Sequence, residues 1–279
     1  MSNQLTGHVC LVTGANTGMG KVTASALAKM GATVILGCRS AERGAAAQKE
    51  IIAATGNPNV SVLPLDLSSL ASVRAAAKQV QSQHPKLDVL VNNAGAWWLD
   101  RQDSVDGIEL QWATNVLGPL EFTKQLLPLL EKSGHGRIVN VASTAAGGLK
   151  LEEVGWTGKY SGASVYSICK QANRMLTWAL ARRLKGRPIT AVAMSPGLVN
   201  TELNRSAKGG FAVVFKVLRL FARTPEKGAD TIIYLAADPS VAAVTDQFYV
   251  DRKSVPCKFR SPEEEEKLWA LCEKQAAGK

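Results

Sequence analysis

The chain has 279 residues, of which 46% are hydrophobic, 20% charged and only 6% aromatic, with a formal net charge of +10. This supplies ample apolar material for a large core and excludes a disordered chain. No apolar run reaches the roughly 18 residues of a membrane-spanning helix, and the polar Met1–Gly7 stretch lacks a charged-then-apolar leader pattern.

The positive charge is spread along the chain and reads as a solvated basic surface. Nucleic acid, an anionic membrane surface and a phosphorylated small molecule are the partners such a charge would suit. No nucleic-acid module and no basic aromatic platform is present, so no nucleic-acid partner is expected. The five cysteines, Cys10, Cys38, Cys169, Cys257 and Cys272, show no C-x-x-C pairing. That argues against a zinc or redox motif and for a reducing, cytoplasmic compartment.

Short β-like runs alternate with helix-like stretches along the chain. The first strand is expected at His8–Thr13, followed by a helix over Gly18–Met30. Strand two at Ala32–Gly37 precedes a helix over Ala41–Ala54. Strand three at Val60–Pro64 and strand four at Leu87–Asn92 enclose a helix over Ser69–Gln83. A long helix over Ile108–Lys132 leads to strand five at Arg137–Ala142. The helix Val165–Lys185 leads to strand six at Ile189–Met194, and a seventh strand is expected at Thr245–Val250. Apolar runs of this length suit strands covered on both faces. The pattern predicts an α/β fold, one doubly wound Rossmann-type domain over residues 1–279 with a seven-stranded parallel sheet flanked by helices. Ser261-Pro262 opens a C-terminal helix whose Glu263–Glu266 run complements the helix dipole.

Strand one runs into Thr13-Gly14-Ala15-Asn16-Thr17-Gly18-Met19-Gly20. Glycines at this turn allow tight folding and close approach to a diphosphate, and the helix that follows offers unpaired N–H groups. Gly14, Asn16, Thr17, Gly18 and Met19 are therefore candidate cofactor-binding residues. At the end of strand two an acidic residue would bind the ribose 2′-hydroxyl of NAD. This sequence instead has Gly37-Cys38-Arg39-Ser40, with no carboxylate before Glu42. Arg39 suits a 2′-phosphate, and Arg43 one turn later would add a second cation. The expected cofactor is NADP (NADPH).

Asn92-Asn93-Ala94-Gly95 closes strand four, Ser143 follows strand five, and Tyr166-Ser167-Ile168-Cys169-Lys170 lies in the next helix. Tyr166 and Lys170, at i and i+4, share a helical face, where the ammonium is expected to lower the tyrosine pKa. Taken in this order, these motifs make the chain resemble the short-chain dehydrogenase/reductase family over essentially its whole length. The resemblance also uses Asp66, Asn115 and Pro196-Gly197-Leu198-Val199-Asn200-Thr201. Within the family it is most similar to the NADP-linked retinol-dehydrogenase-like branch, on Gly37-Cys38-Arg39, Asp66-Leu67-Ser68, Thr224–Ala229, Phe248-Tyr249 and Leu268-Trp269.

The resemblance implies hydride transfer between a nicotinamide and a carbonyl or alcohol. Tyr166 is then the general acid in reduction and the base in oxidation, and Lys170 holds the nicotinamide ribose. Ser143 binds the substrate oxygen, and Asn115 maintains a proton-relay water through a local helix distortion. Asp66 and Leu67 contact adenine, and Asn93, Ala94 and Gly95 line the adenosine ribose side. Pro196, Gly197, Val199 and Thr201 belong to the turn that covers the carboxamide and diphosphate. The expected partner is a small apolar carbonyl or alcohol. A homodimer through the two long helices is a further expectation. A non-enzymatic dinucleotide-sensing or scaffolding protein on the same fold is the alternative.

Two stretches interrupt the alternation after strand C-termini. Thr144–Ala163 is longer than the family's usual spacing. The stretch 202–223, with apolar Phe211–Phe221 and cations at Lys216, Arg219 and Arg223, suits a substrate lid, or else a helix in peripheral contact with an anionic membrane. Trp97 and Trp98 suit either a pocket wall or the edge of the core. Cys169, next to Lys170, is read as a packed helix residue rather than a thiolate. His8, His84 and His135 lack metal-ligand spacing, so no metal is expected.

Overall fold

The computed structural model describes residues 4–199 and 222–278. Eight strands form one sheet in the order β3-β2-β1-β4-β5-β6-β7-β8. They are β1 (Val9–Thr13), β2 (Thr33–Cys38), β3 (Val60–Pro64), β4 (Val89–Asn92), β5 (Gly136–Val141), β6 (Ile189–Ser195), β7 (Phe248–Val250) and β8 (Lys253–Val255). The first seven run parallel. β1 and β4 are buried along their whole length, because helices cover both faces of the sheet. β3, at the edge, is buried only at Val60 and Leu63 and ends in Pro64, whose missing N–H is tolerable there.

The helices are α1 (Gly18–Lys29), α2 (Ala41–Thr55), α3 (Leu70–Gln83), α4 (Gly118–Lys132), α5 (Gly162–Arg183), α6 (Pro225–Ala237) and α7 (Pro262–Ala276). The central strands feed both cores by their period of two. Leu11 and Leu90 join the apolar cluster under α3, α4, α5 and α7. Cys10, Val12, Val89 and Val91 join the cluster under α1, α2 and α6. Among the described residues no helix is long and apolar enough to cross a membrane.

The structure corrects the expected sheet in one respect. β8 adds an eighth strand that pairs antiparallel with β7, Phe248 opposite Val255 and Val250 opposite Lys253. Asp251 and Arg252 form the two-residue turn with φ of 50° and 59°, the positive angles a tight hairpin demands. β8 is three residues long and largely exposed, so it carries almost no apolar signal.

The expected helix Ile108–Lys132 is also interrupted. Leu110–Trp112 is α-helical, Ala113–Leu117 is a π-turn, and α4 then begins at Gly118. A Cβ at Gly118 would lie 2.1 Å from the Leu67 carbonyl oxygen. Only glycine lets the start of α4 come this close to the chain leaving β3.

The chain travels outward from β1 to β3 and then returns to β4 on the other side of β1. This reversal opens a crevice beyond the C-terminal ends of β1 and β4, the position where open α/β sheets bind ligands.

Candidate active site

The β1–α1 turn is held against the chain that leaves β4. The Thr13 hydroxyl accepts the N–H groups of Asn93 and Ala94, both at 3.0 Å. Asn93 Nδ2 donates to the Thr13 carbonyl at 2.9 Å. Gly14 has φ 66°, and a Cβ there would meet Ala94 Cα at 2.9 Å. At Gly20 a Cβ would meet the Gly14 oxygen at 2.3 Å. Thr17 is the N-cap of α1 without a side-chain cap, and the first turn contains no acidic residue. The α1 N–H groups around Gly18 and Met19 are left for a ligand, so the turn fits an anionic diphosphate. Asn16, Thr17, Gly18 and Met19 are half-buried at the crevice, and so is Gly95.

At the end of β2, Arg39 and Arg43 are exposed. Among the described residues neither has a salt-bridge partner. Ser40 caps α2 by accepting the Arg43 N–H at 3.3 Å, which sets Arg43 in the first turn near Arg39. Asp66 is turned into its own loop, where Oδ1 accepts the Ser68 N–H at 2.9 Å and the Ser68 hydroxyl at 2.6 Å. Leu67 is buried beneath α4.

Asn115 lies in the π-turn. Its Oδ1 accepts the Ala96 N–H and its Nδ2 donates to the Ala96 carbonyl, each at 2.8 Å. The widened turn therefore ties α4 to the chain after β4. A small cavity of about 30 Å³ borders Asn115, Val141, Asn92 and Asn140, enough for a water or so. Asn92 Oδ1 is buried and has no hydrogen-bond partner among the described residues.

Lys170 is buried and donates from Nζ to the Val141 carbonyl at 2.9 Å. Its ammonium lies 5.4 Å from the Tyr166 ring centroid. Burial lowers the Lys170 pKa to about 8, against a smaller upward effect of Cys169. The expectation that Lys170 would lower the Tyr166 pKa is corrected. Burial pushes the Tyr166 hydroxyl up, and Cys169 adds to this. The ammonium sits over the ring and is committed to Val141, so desolvation sets the direction. Cys169 is itself fully buried, and burial raises its thiol, so it is a packed residue.

Ser143 follows β5. Its Oγ accepts the Ala145 N–H at 3.0 Å, and its carbonyl accepts from Arg174 Nη2. Thr144 N–H donates to Ser195 Oγ at 2.9 Å, tying this segment to the end of β6. The structure thus brings Ser143, Tyr166, Lys170 and Asn115 to the same edge of the sheet, through the end of β5, the face of α5 and the π-turn.

Pro196, Gly197 and Val199 follow β6, with Gly197 at φ 75°. Arg223 holds this turn. Its N–H donates to the Leu198 carbonyl at 2.8 Å, and its guanidinium pairs with Asp251 in the β7–β8 turn. Gly228 on α6 lets Met19 and Val199 approach, since a Cβ there would lie 2.7 Å from a side-chain atom of each. Thr201 and most of the 202–223 stretch lie outside the described residues. Trp97 is buried, and Trp98 turns its carbonyl toward Gly162, whose absent Cβ would sit 1.9 Å away.

Sequence reasoning missed Arg174 and Asp251, and read Arg223 only as a cation of the 202–223 stretch. Arg223 and Asp251 had no pairing signal because they meet only through the eighth strand. The only signal at Arg174 was its i+4 spacing from Lys170. The histidines are also less scattered than their numbering suggested. His8 and His135 meet at Asp88, at the opposite end of the sheet, with His135 Nε2 3.2 Å from Asp88 Oδ1. That oxygen already accepts from Ser133 and Lys86, and Oδ2 from the Val9 N–H. The Lys86 ammonium opposes a second cation there.

The fold and this site define a dinucleotide-binding α/β enzyme, and the comparisons agree. The family model described as short chain dehydrogenase matches residues 8–210. The chain is 34% identical to retinol dehydrogenase 12 of Mus musculus, over 97% of this chain and 87% of that protein. It is 38% identical to retinol dehydrogenase 11 of Homo sapiens, over 89% of this chain and 78% of that protein. Among solved structures it is similar to a Mycobacterium paratuberculosis protein, with TM-score 0.78 and 31% identity, covering 99% of this chain and 97% of that one. It is also similar to Pseudomonas aeruginosa RhlG in an NADP active-site complex, with TM-score 0.71 and 28% identity, covering 88% of this chain and 95% of that one. The chain belongs to the short-chain dehydrogenase/reductase family, in its retinol-dehydrogenase-like branch. It is an oxidoreductase of a family that uses a nicotinamide dinucleotide.

Proposed function

We propose that this protein is an NADP(H)-dependent enzyme that reduces a ketone or aldehyde of an apolar substrate, or oxidises the matching alcohol, with Tyr166 as general acid and base. The observation that carries the reading is the α5 face. It presents Tyr166 and the buried Lys170 to the end of β5, where Lys170 reaches Val141, two residues before Ser143. The retinol dehydrogenases among its relatives support an apolar alcohol or aldehyde. The exposed cations Arg39 and Arg43 at the end of β2 support NADP over NAD, and so does the NADP complex of its structural relative RhlG.

The nicotinamide, when bound, supplies or accepts the hydride. The α1 N-terminus and the Gly14–Met19 turn would hold its diphosphate, Arg39 and Arg43 its 2′-phosphate, and Asp66 and Leu67 its adenine. Asn93, Ala94 and Gly95 would line the adenosine ribose, and Pro196, Gly197, Val199 and Thr201 would cover the other end. In reduction the substrate oxygen becomes an alkoxide, and Tyr166 donates its phenolic proton to that oxygen. The raised Tyr166 pKa keeps this proton in place until it is needed. Ser143 donates a hydrogen bond from its hydroxyl to the same oxygen, while its Oγ accepts the Ala145 N–H. Lys170 orients the ribose, and Asn115 holds the relay water. In oxidation the same proton moves in reverse.

The test is a panel of apolar and polar ketones, aldehydes and alcohols, assayed by absorbance with NADPH, NADP, NADH and NAD. Turnover with the phosphorylated cofactor and preference for apolar substrates are expected. No turnover with any pair, or a preference for NADH, overturns the corresponding half of the reading.

A further inference from the structure

Arg174 stands out among the side chains of this edge. It is 5% exposed, and among the described residues no carboxylate pairs with it. Its Nε is buried without a hydrogen-bond partner among the described residues. Its guanidinium lies 3.7 Å from the Phe248 ring centroid on β7 and 5.4 Å from that of Phe259. Nη1 reaches Cys257 Sγ at 3.9 Å. Burial lowers the Arg174 pKa, with Cys257 acting in the opposite sense. A buried cation without a counter-charge is costly, and an apolar side chain of similar length would fill the same space at less cost. Such costs are retained where the charge has a task.

Its placement shows the task. Arg174 is four residues beyond Lys170 and eight beyond Tyr166, on the same face of α5. Lys170 anchors the end of β5 through Val141, and Arg174 anchors the chain two residues later through the Ser143 carbonyl. The Phe248 and Phe259 rings lie against the guanidinium.

We propose that Arg174 is a positioning residue, which sets the Ser143 hydroxyl on the substrate oxygen by clamping the Ser143 carbonyl between α5 and the aromatic floor of β7. The inference rests on the reading of Ser143 given above. Tyr166 and Lys170 do the proton chemistry on one end of the α5 face, and Arg174 holds the third member of the group in register with them. A shift of about 1 Å in a positioned catalytic group is enough to cost roughly a hundredfold in rate.

The experiment compares Arg174→Met, Arg174→Lys and Ser143→Ala in the full chain, on the best substrate of the panel. Three quantities are read: kcat, the NADPH dissociation constant, and the primary isotope effect with 4-deuterated NADPH. Arg174→Met is expected to lower kcat by roughly 10- to 100-fold, to leave NADPH binding within about twofold, and to raise the isotope effect as hydride transfer becomes rate-limiting. Arg174→Lys, which retains a cation within reach of the carbonyl, is expected to recover part of kcat. A merely structural Arg174 would lower the folded fraction and kcat together without moving the isotope effect, and that result overturns the proposal. Should Arg174→Met fail to fold, Phe248→Leu removes the ring beneath the guanidinium and must raise the isotope effect in its place. If Ser143→Ala loses turnover while Arg174→Met does not, the clamp is wrong and the function stands. If Ser143→Ala itself keeps full turnover, the functional reading of Ser143 fails first.

Discussion

Tyr166, Lys170 and Arg39 carry the sharpest expectations at the scale of single residues. Tyr166→Phe removes the proton donor and nothing else of size, so kcat is expected to fall by about 10²- to 10⁴-fold. NADPH binding and thermal stability should stay close to those of the parent. Near-parental kcat would show that another group moves the proton. Arg39→Asp replaces a cation at the end of β2 with a carboxylate. It should weaken NADPH strongly and NADH little, through lost charge-assisted hydrogen bonds and added repulsion. Titration of both reduced cofactors against parent and variant decides this, and equal weakening of the two would rule out a 2′-phosphate contact. Lys170 gives a pH dependence. Its folded pKa is about 8, whereas an unfolded lysine titrates near 10.4. Between these values the unfolded chain binds more protons, so the Lys170 contribution to stability rises with pH across that window. Without cofactor, the melting temperature of the parent relative to Lys170→Met is expected to climb from about pH 8 to about pH 10. A flat difference would show that the buried lysine is not strained by its charge.

Among the elements, the π-turn and the close approach of Gly118 shape the site more than any strand does. The π-turn points Asn115 at both backbone groups of Ala96. Gly118 immediately follows it and lies against the Leu67 carbonyl. Gly118→Ala forces a Cβ into that carbonyl, and overpacking of this kind typically costs about 1–3 kcal/mol. Chemical denaturation should show the loss. NADPH affinity should fall as well, because Leu67 and Asp66 must move, and a variant with parental affinity would remove these residues from the adenine pocket. The periodicity of Ile108–Lys132 predicted one continuous helix. Apolar spacing reports which face is buried and did not itself mark the π-turn; the distortion at Asn115 was expected only from the family resemblance. β8 was illegible for a different reason. It is short and exposed, and the hairpin exists because Asp251 and Arg252 accept positive φ while Asp251 pairs with Arg223.

Across the whole molecule, the two ends of the sheet do different work. The C-terminal edge gathers the candidate catalytic group. The opposite edge is closed by Asp88, which is fully buried and takes hydrogen bonds from Ser133, Lys86 and the Val9 backbone. Burial by itself would raise the Asp88 carboxyl, but these donors outweigh it and hold the group below the usual carboxylate range. A depressed carboxylate stabilises the fold above its unfolded pKa, near 3.9, and the contribution is lost as the pH falls through the folded value. Asp88→Ala is therefore expected to cost roughly 1–3 kcal/mol by orphaning the buried Val9 N–H. It should also weaken the acid dependence of stability, with kcat per folded molecule unchanged. A loss of kcat without a loss of stability would show that the two ends are coupled.

The sequence by itself determined the α/β class, the parallel direction of the first seven strands, the Gly-rich turn after β1 and the family. These are local signals: an apolar run of strand length, glycine where a turn must be tight, a tyrosine and a lysine four residues apart on one helix. Their chemistry is carried by residues that are neighbours along the chain or along one element. Tertiary structure alone decided which way burial drives the Tyr166 pKa, how Asn115 is aimed, and that Arg174 clamps the Ser143 carbonyl. It also decided that Arg223 meets Asp251, and that His8 and His135 converge on Asp88. Each of these depends on desolvation or on a contact between groups tens of residues apart, and neither quantity is a property of any stretch of sequence taken alone.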